Sequence, residues 1–209
     1  MLKEIYLIGV SILLLMPTAQ AVILYDGDNS GNLTTPSSGA PFDSVARVCN
    51  NGGGNTAGSA VHIRGKYMLT ANHVQLRTHI TFDGITYLEW DTSFNPIRIG
   101  TTDMKLIKLV QSPGLPATEL FSDNSGDTSV TTTLIGWGVG RDTDVNDSGS
   151  GSTNIWQWGN TGTLKKRWGT NTIAASGSGE VTTNTNYDYL ITDLDRNAGI
   201  NEAAATLYD

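Results

Sequence analysis

His73 is the first residue whose type and setting could do chemistry. It closes the stretch Gly58 to Val74, in which Ala60–Ile63 and Tyr67–Thr70 read as two short strands joined by the turn Arg64-Gly65-Lys66. Gly65 is free to take the positive φ such a turn needs. After Thr70 the small residues Ala71 and Asn72 let the chain turn tightly, with His73 on that turn. A histidine held in one orientation is what a general base requires. The plainer alternative is a histidine that caps a turn or packs in a core. Asp103 is the second candidate. It follows a small polar turn and opens the apolar run Met104 to Val110, where an aspartate on its own reads as a turn residue.

Other chemically suggestive residues fall to simpler readings. His62 and His79 show no paired acid or metal spacing and read as structural or surface residues. Asp142-x-Asp144-x-Asn146 and Asp193-x-Asp195-x-Asn197 imitate the start of a calcium loop. However, Asp147 and Ala198 occupy the sixth position, where that loop needs glycine, and Thr153 stands where the first would need its glutamate. The glycine-rich Asn50–Asn55 is followed by no Gly-Lys-Ser/Thr, so it is not a phosphate loop. Lys165-Lys166-Arg167 reads as charge on a strand edge that discourages aggregation.

Composition narrows the class. The 209 residues suffice for one large β domain or two small ones with real cores. Only 16% are charged and 24 are glycine, which suits a turn-rich all-β protein over a helical one. A net charge of −7 argues against nucleic acid or an anionic membrane as partner. The single cysteine, Cys49, excludes an intrachain disulfide, and its strand-like context, Val45–Cys49, suggests burial over reactivity. At the amino terminus, Lys3, the apolar run Ile5–Met16, Pro17 and the small-x-small Ala19-Gln20-Ala21 form a secretory signal peptide expected to be cleaved after Ala21. The mature chain would be secreted or periplasmic, away from the membrane, and would begin at Val22.

Stepping along the chain, Asp26–Pro41 reads as an extended surface segment. His79–Phe82 and Ile85–Leu88, separated by Asp83-Gly84, read as a hairpin. Ile97–Ile99 is a short strand, and Met104–Val110 alternates imperfectly, as a barrel strand near a corner does. Pro113-Gly114-Leu115-Pro116 is the best internal boundary. Val130–Ile135 leads into Gly136-Trp137-Gly138, and Val139–Asn160 reads as a long loop. Thr163–Thr170, Val181–Thr183 and Tyr187–Thr192 are further strands. No long amphipathic helix appears after the signal peptide.

Three segments, in order, resemble the trypsin-like (chymotrypsin-fold) serine proteases. Leu69-Thr70-Ala71-Asn72-His73 resembles L-T-A-A-H around the catalytic histidine, with Asn72 replacing an alanine and Val74 standing where many members have a cysteine. Asp103-Met104-Lys105-Leu106-Ile107-Lys108-Leu109 resembles D-I-A-L-L-x-L, which carries the orienting aspartate. Ile135-Gly136-Trp137-Gly138 resembles the S-G-W-G that starts the second barrel. The resemblance implies an all-β fold of two antiparallel β-barrels of the chymotrypsin type, the second incomplete. Residues 22–112 would form the N-terminal segment and first barrel, and 113–209 the second. It also implies hydrolysis of protein or peptide substrates through an acyl-enzyme, without metal or organic cofactor. A monomer is expected. His73 would be the base and Asp103 its orienter through Nδ1.

The resemblance also has departures. No Gly-Asp-Ser-Gly-Gly occurs, and the matching position of the nucleophile falls just past Asp209. The expectation is therefore a sequence that stops one residue before its serine. Tyr208 would replace the glycine whose N–H helps bind the oxyanion, and Asp209 would pair with the new amino terminus at Val22. Counting back to the base of the specificity pocket lands near Ala204, with Glu202 close by, so cleavage after basic residues is not expected. Two alternatives compete. A catalytically inactive homologue could act as a secreted binding protein, or an unrelated β-sandwich could serve as an adhesin or carbohydrate-binding module. The last gives no reason for the ordered His, Asp and Gly-Trp-Gly segments.

Overall fold

The computed structural model describes residues 32–120, 130–140, 162 and 164–173, together with the backbone of 174–182, of 185–192 and of two short strands, Ile23–Leu24 and Ala203–Ala204. The signal-peptide segment, Val22, both aspartate-rich calcium-like stretches, Tyr208 and Asp209 lie outside the described residues.

The architecture is all-β. In chain order the strands are β1 (Ile23–Leu24), β2 (Val45–Cys49), β3 (Gly58–Arg64), β4 (Tyr67–Ala71), β5 (His79–Thr81), β6 (Leu88–Glu89), β7 (Ile97–Arg98), β8 (Met104–Lys108), β9 (Thr131–Gly138), β10 (Lys165–Thr182), β11 (Thr185–Thr192) and β12 (Ala203–Ala204). Seven of them form one antiparallel sheet in the order β6-β5-β2-β3-β4-β8-β7. Its β8 also reaches back to β6. Trp90 and Leu109 form an antiparallel bridge, the Asp91 N–H donates to the Lys108 carbonyl (2.9 Å), and the Val110 N–H donates to the Glu89 carbonyl (3.0 Å). Six strands thus close into a ring, with β7 outside it, and closure removes most of the unpaired edge.

The pleat explains which residues fill the barrel, because alternate side chains point to opposite faces. Ala46 and Val48 of β2, Ala60 of β3, Met68 of β4, Ile80 of β5 and Ile107 of β8 meet in one core, joined by Val74, Leu88, Trp90 and Leu109. The outward residues of β2, Val45 and Cys49, are buried as well, and Val45 meets Trp137 of the second half of the chain. Burial pushes the Cys49 thiol above its ordinary pKa, as expected for a structural cysteine.

The second sheet has the order β11-β10-β9. Among the described residues it is an open three-stranded sheet. It docks on the barrel through Trp137, whose indole N–H donates to the Val45 carbonyl (3.1 Å) and whose main-chain N–H donates to Ser59 Oγ (2.8 Å). Two strands expected separately, Thr163–Thr170 and Val181–Thr183, fall over their described residues on the two ends of the single strand β10. Its first half pairs with β9 and its second with β11, with register shifts after Ile173 and Glu180. The glycines between them, Gly177 and Gly179, hide the strand pattern.

Three further expectations need correction. Lys165 is exposed, but Lys166 and Arg167 are 9% and 6% exposed, so this basic run is not a solvated edge. The Lys166 ammonium donates to the Phe42 carbonyl (3.0 Å) over the Phe42 ring, and Arg167 Nη1 donates to the Gly138 carbonyl (3.2 Å). Burial pulls both below their usual pKa. His79, read as lacking an acid, has Glu89 Oε1 at 3.7 Å across the β5–β6 pair. The β5–β6 hairpin exists, but residues 82–87 make a longer connection than the Asp-Gly pair suggested.

That longer loop is organised by one carboxylate. Asp83 Oδ1 accepts from the N–H groups of Ile85 (2.8 Å) and Thr86 (2.7 Å) and from the Thr81 hydroxyl (3.0 Å). Burial alone would raise its pKa, but these donors outweigh it and hold it at about 2. A depressed carboxylate stabilises the fold above its unfolded pKa, near 3.9, and loses that contribution as pH falls toward 2. Asp83→Ala is therefore expected to lower Tm at pH 7, with the gap to the wild type narrowing between pH 4 and pH 2. Thermal melts at stepped pH measure it; a gap independent of pH contradicts the assignment.

Candidate active site

The site is built where β4 ends and β8 begins. Antiparallel pairing sets Thr70 opposite Lys105 and Ala71 opposite Met104. Continuing each strand by a residue or two brings the turn at Asn72–Val74 against Asp103, thirty positions along the chain.

Asp103 binds this turn through three hydrogen bonds. Its Oδ2 accepts from Nδ1–H of His73 at 2.5 Å, its Oδ1 accepts from the main-chain N–H of His73 at 3.0 Å, and its carbonyl accepts from the Asn72 N–H at 2.9 Å. One carboxylate therefore holds both the ring and the backbone of the same residue. The His73 side chain is 58% exposed and that of Asp103 32%, so water screens their charges and the pair adds little to stability by attraction alone. Its effect is orientation: with Nδ1 carrying the proton toward Asp103, Nε2 is the nitrogen able to accept one.

Each partner is itself held. Val74 is buried in the barrel core and anchors the turn from below. The turn closes with Val74 N–H donating to the Ala71 carbonyl (3.2 Å). Gly58 lies against Val74: a Cβ on Gly58 would come within 3.0 Å of Val74 Cγ2, and its φ is +156°. On the other side, Arg98 fixes the turn before Asp103 by donating from Nε to the Thr102 carbonyl (2.9 Å) and from Nη2 to the Thr101 carbonyl (2.8 Å). Lys105 donates to the carbonyls on both sides of His73, those of Asn72 (2.9 Å) and Val74 (2.6 Å). Burial pulls the Lys105 ammonium below its usual pKa, partly countered by the Asp103 carboxylate.

His73 and Asp103, paired in the sequence only through the family resemblance, meet in space. Val22, Tyr208 and Asp209 lie outside the described residues. Arg98 and Lys105 were not singled out by sequence. For Lys105 a signal existed, since residues two apart in a strand share a face, and Asp103-x-Lys105 sits opposite the histidine turn. A cavity of about 680 Å³ lies elsewhere on the barrel, lined in part by Arg77, His79, Glu89 and Trp90. Among the described residues no group of three or more His, Cys, Asp or Glu could hold a metal ion.

No protein-family model matches the chain, and no curated protein matches it. Among solved structures it is similar to a Glu endopeptidase in complex with MPD, at 14% identity over 77% of this chain and 77% of that one, with a TM-score of 0.42. It is also similar to GrC, at 16% identity over 69% of this chain and 64% of that one, with a TM-score of 0.41. At this level the likeness decides nothing about chemistry, which rests on this chain's own residues.

The Gly58–Val74 contact makes a prediction. Gly58→Ala should destabilise the protein by about 1–3 kcal/mol, the usual cost of forcing an extra carbon into a packed site. Val74→Ala in the same chain should recover part of that loss. A double-mutant cycle in urea measures it, and zero coupling would mean that the two side chains do not compete for space.

Proposed function

We propose that this protein is a secreted or periplasmic serine endopeptidase of the trypsin-like class, with His73 as general base and Asp103 as its orienting acid. The observation that carries the proposal is the double grip of the Asp103 carboxylate on the ring and main-chain N–H of His73. A histidine that merely caps a turn needs no acid on its Nδ1. A base that must accept a proton at Nε2 and then carry positive charge does.

In this reading His73 Nε2 takes the hydroxyl proton of a serine as the serine oxygen attacks the substrate carbonyl. The proton then passes to the leaving amine, an acyl-enzyme forms, and water repeats the sequence with the acid released. The serine is proposed to follow Asp209 in a longer reading frame, with the Tyr208 main-chain N–H at the oxyanion. The backbone pairing of β1 with β12, Ile23 opposite Ala204 and Leu24 opposite Ala203, supports the reading of a mature amino terminus at Val22. The substrate is a protein or peptide, and no metal or organic cofactor takes part.

The test expresses the 209-residue chain beside the longer reading frame that this proposal requires, and treats both with a fluorophosphonate and a generic protein substrate. The longer chain should label and cleave, the 209-residue chain should do neither, and Asp103→Asn in the longer chain should lower kcat by about 10³–10⁴-fold. Labelling of the 209-residue chain would place the nucleophile within these residues. A longer chain that carries the serine yet neither labels nor cleaves is an inactive homologue, and the endopeptidase reading fails.

A further inference from the structure

We propose that Lys105 is a positioning residue for His73, gripping the histidine turn by its carbonyls while Asp103 grips it by its N–H groups. The inference rests on the reading of His73 as the base. Its geometry stands independently of any activity.

The carbonyls of Asn72 and Val74, the residues before and after His73, are bound by one ammonium at 2.9 Å and 2.6 Å. A hydrogen bond with a charged donor is roughly twice as strong as a neutral one. Two such bonds converging from one side chain fix the direction of both carbonyls, and so hold the chain at both ends of the His73–Val74 pair. The strand register makes this possible. Lys105 lies opposite Thr70, and its side chain spans the short distance from β8 to the turn beyond β4. Asp103 and Lys105, two residues apart, approach the turn from the same face and bind its complementary groups, acid to N–H and ammonium to C=O. Removing the ammonium would leave Asp103 holding the amide while both carbonyls lose their charged donor. The turn could then rock about the Asp103 contact and carry the ring with it. At an active site, such a displacement acts on rate more than on substrate affinity.

The experiment compares wild type with Lys105→Met, which keeps the apolar stem without the donors, and Lys105→Arg, which restores two donors on a planar head. Amide hydrogen exchange is read in the 209-residue chain, where it needs no activity. Exchange at Asn72–Val74 should accelerate by about tenfold or more in Lys105→Met, as expected when local opening replaces a held turn. The β2 amides should be unchanged, and Lys105→Arg should recover much of the protection. In the longer reading frame Lys105→Met should lower kcat with KM nearly unchanged, and Lys105→Arg should restore part of it. If Lys105→Met does not fold, Lys105→Gln, too short to span both carbonyls, is read the same way. Unchanged exchange at Asn72–Val74 overturns the proposal. An inactive wild type with the predicted exchange pattern overturns the endopeptidase reading but leaves the positioning role standing.

Discussion

The pairing register between β4 and β8 is the constraint on which the site depends. Strand side chains alternate with a period of two, so a slip of one residue would turn every side chain of β8 to its opposite face. Ile107 would leave the barrel core, and Lys105 would leave the histidine turn. The same alignment that buries Ile107 beside Met68 therefore brings Asp103 to His73. Core and site are two readings of one register, and the core, being apolar and fully buried, is what enforces it.

Closure of the barrel secures that register from the other edge. The backbone bonds between Glu89–Asp91 and Lys108–Val110 hold the far end of β8, and the Lys108 ammonium reaches Asp91 Oδ2 at 2.8 Å beside them. Arg98, from the outer strand β7, ties down the turn that delivers Asp103. The catalytic constellation proposed here is thus held on a rigid sheet and its short turns, the arrangement that keeps a proton-transfer pair in one geometry.

Much of the barrel was legible in the sequence. The β3–β4 hairpin, its turn at Gly65 and the strand Val45–Cys49 follow from short apolar runs bounded by turn residues, and the structure has them. The pairing of His73 with Asp103 was legible only by resemblance, because nothing local records that two residues thirty positions apart will adjoin. What stayed hidden has physical causes. The burial of Lys166 and Arg167 depends on Phe42, Trp137 and Gly138 from other elements, and a basic run carries no mark of that. β10 reads as two strands because its glycines break the propensity signal, while the ladder on either side keeps the strand continuous. The Asp83 loop is longer than its Asp-Gly pair suggests because it is held by hydrogen bonds to one carboxylate instead of by a two-residue turn.

The central claim is that Asp103 fixes the His73 ring with a proton on Nδ1. A ¹H–¹⁵N NMR experiment on selectively labelled histidine tests it directly. The account predicts a far-downfield proton resonance correlated to His73 Nδ1 near neutral pH, protected from exchange by its short hydrogen bond, and lost in Asp103→Ala while the His62 and His79 signals persist. A His73 whose ring proton resides on Nε2, or whose Nδ1 resonance is the same with and without the Asp103 carboxylate, would contradict it.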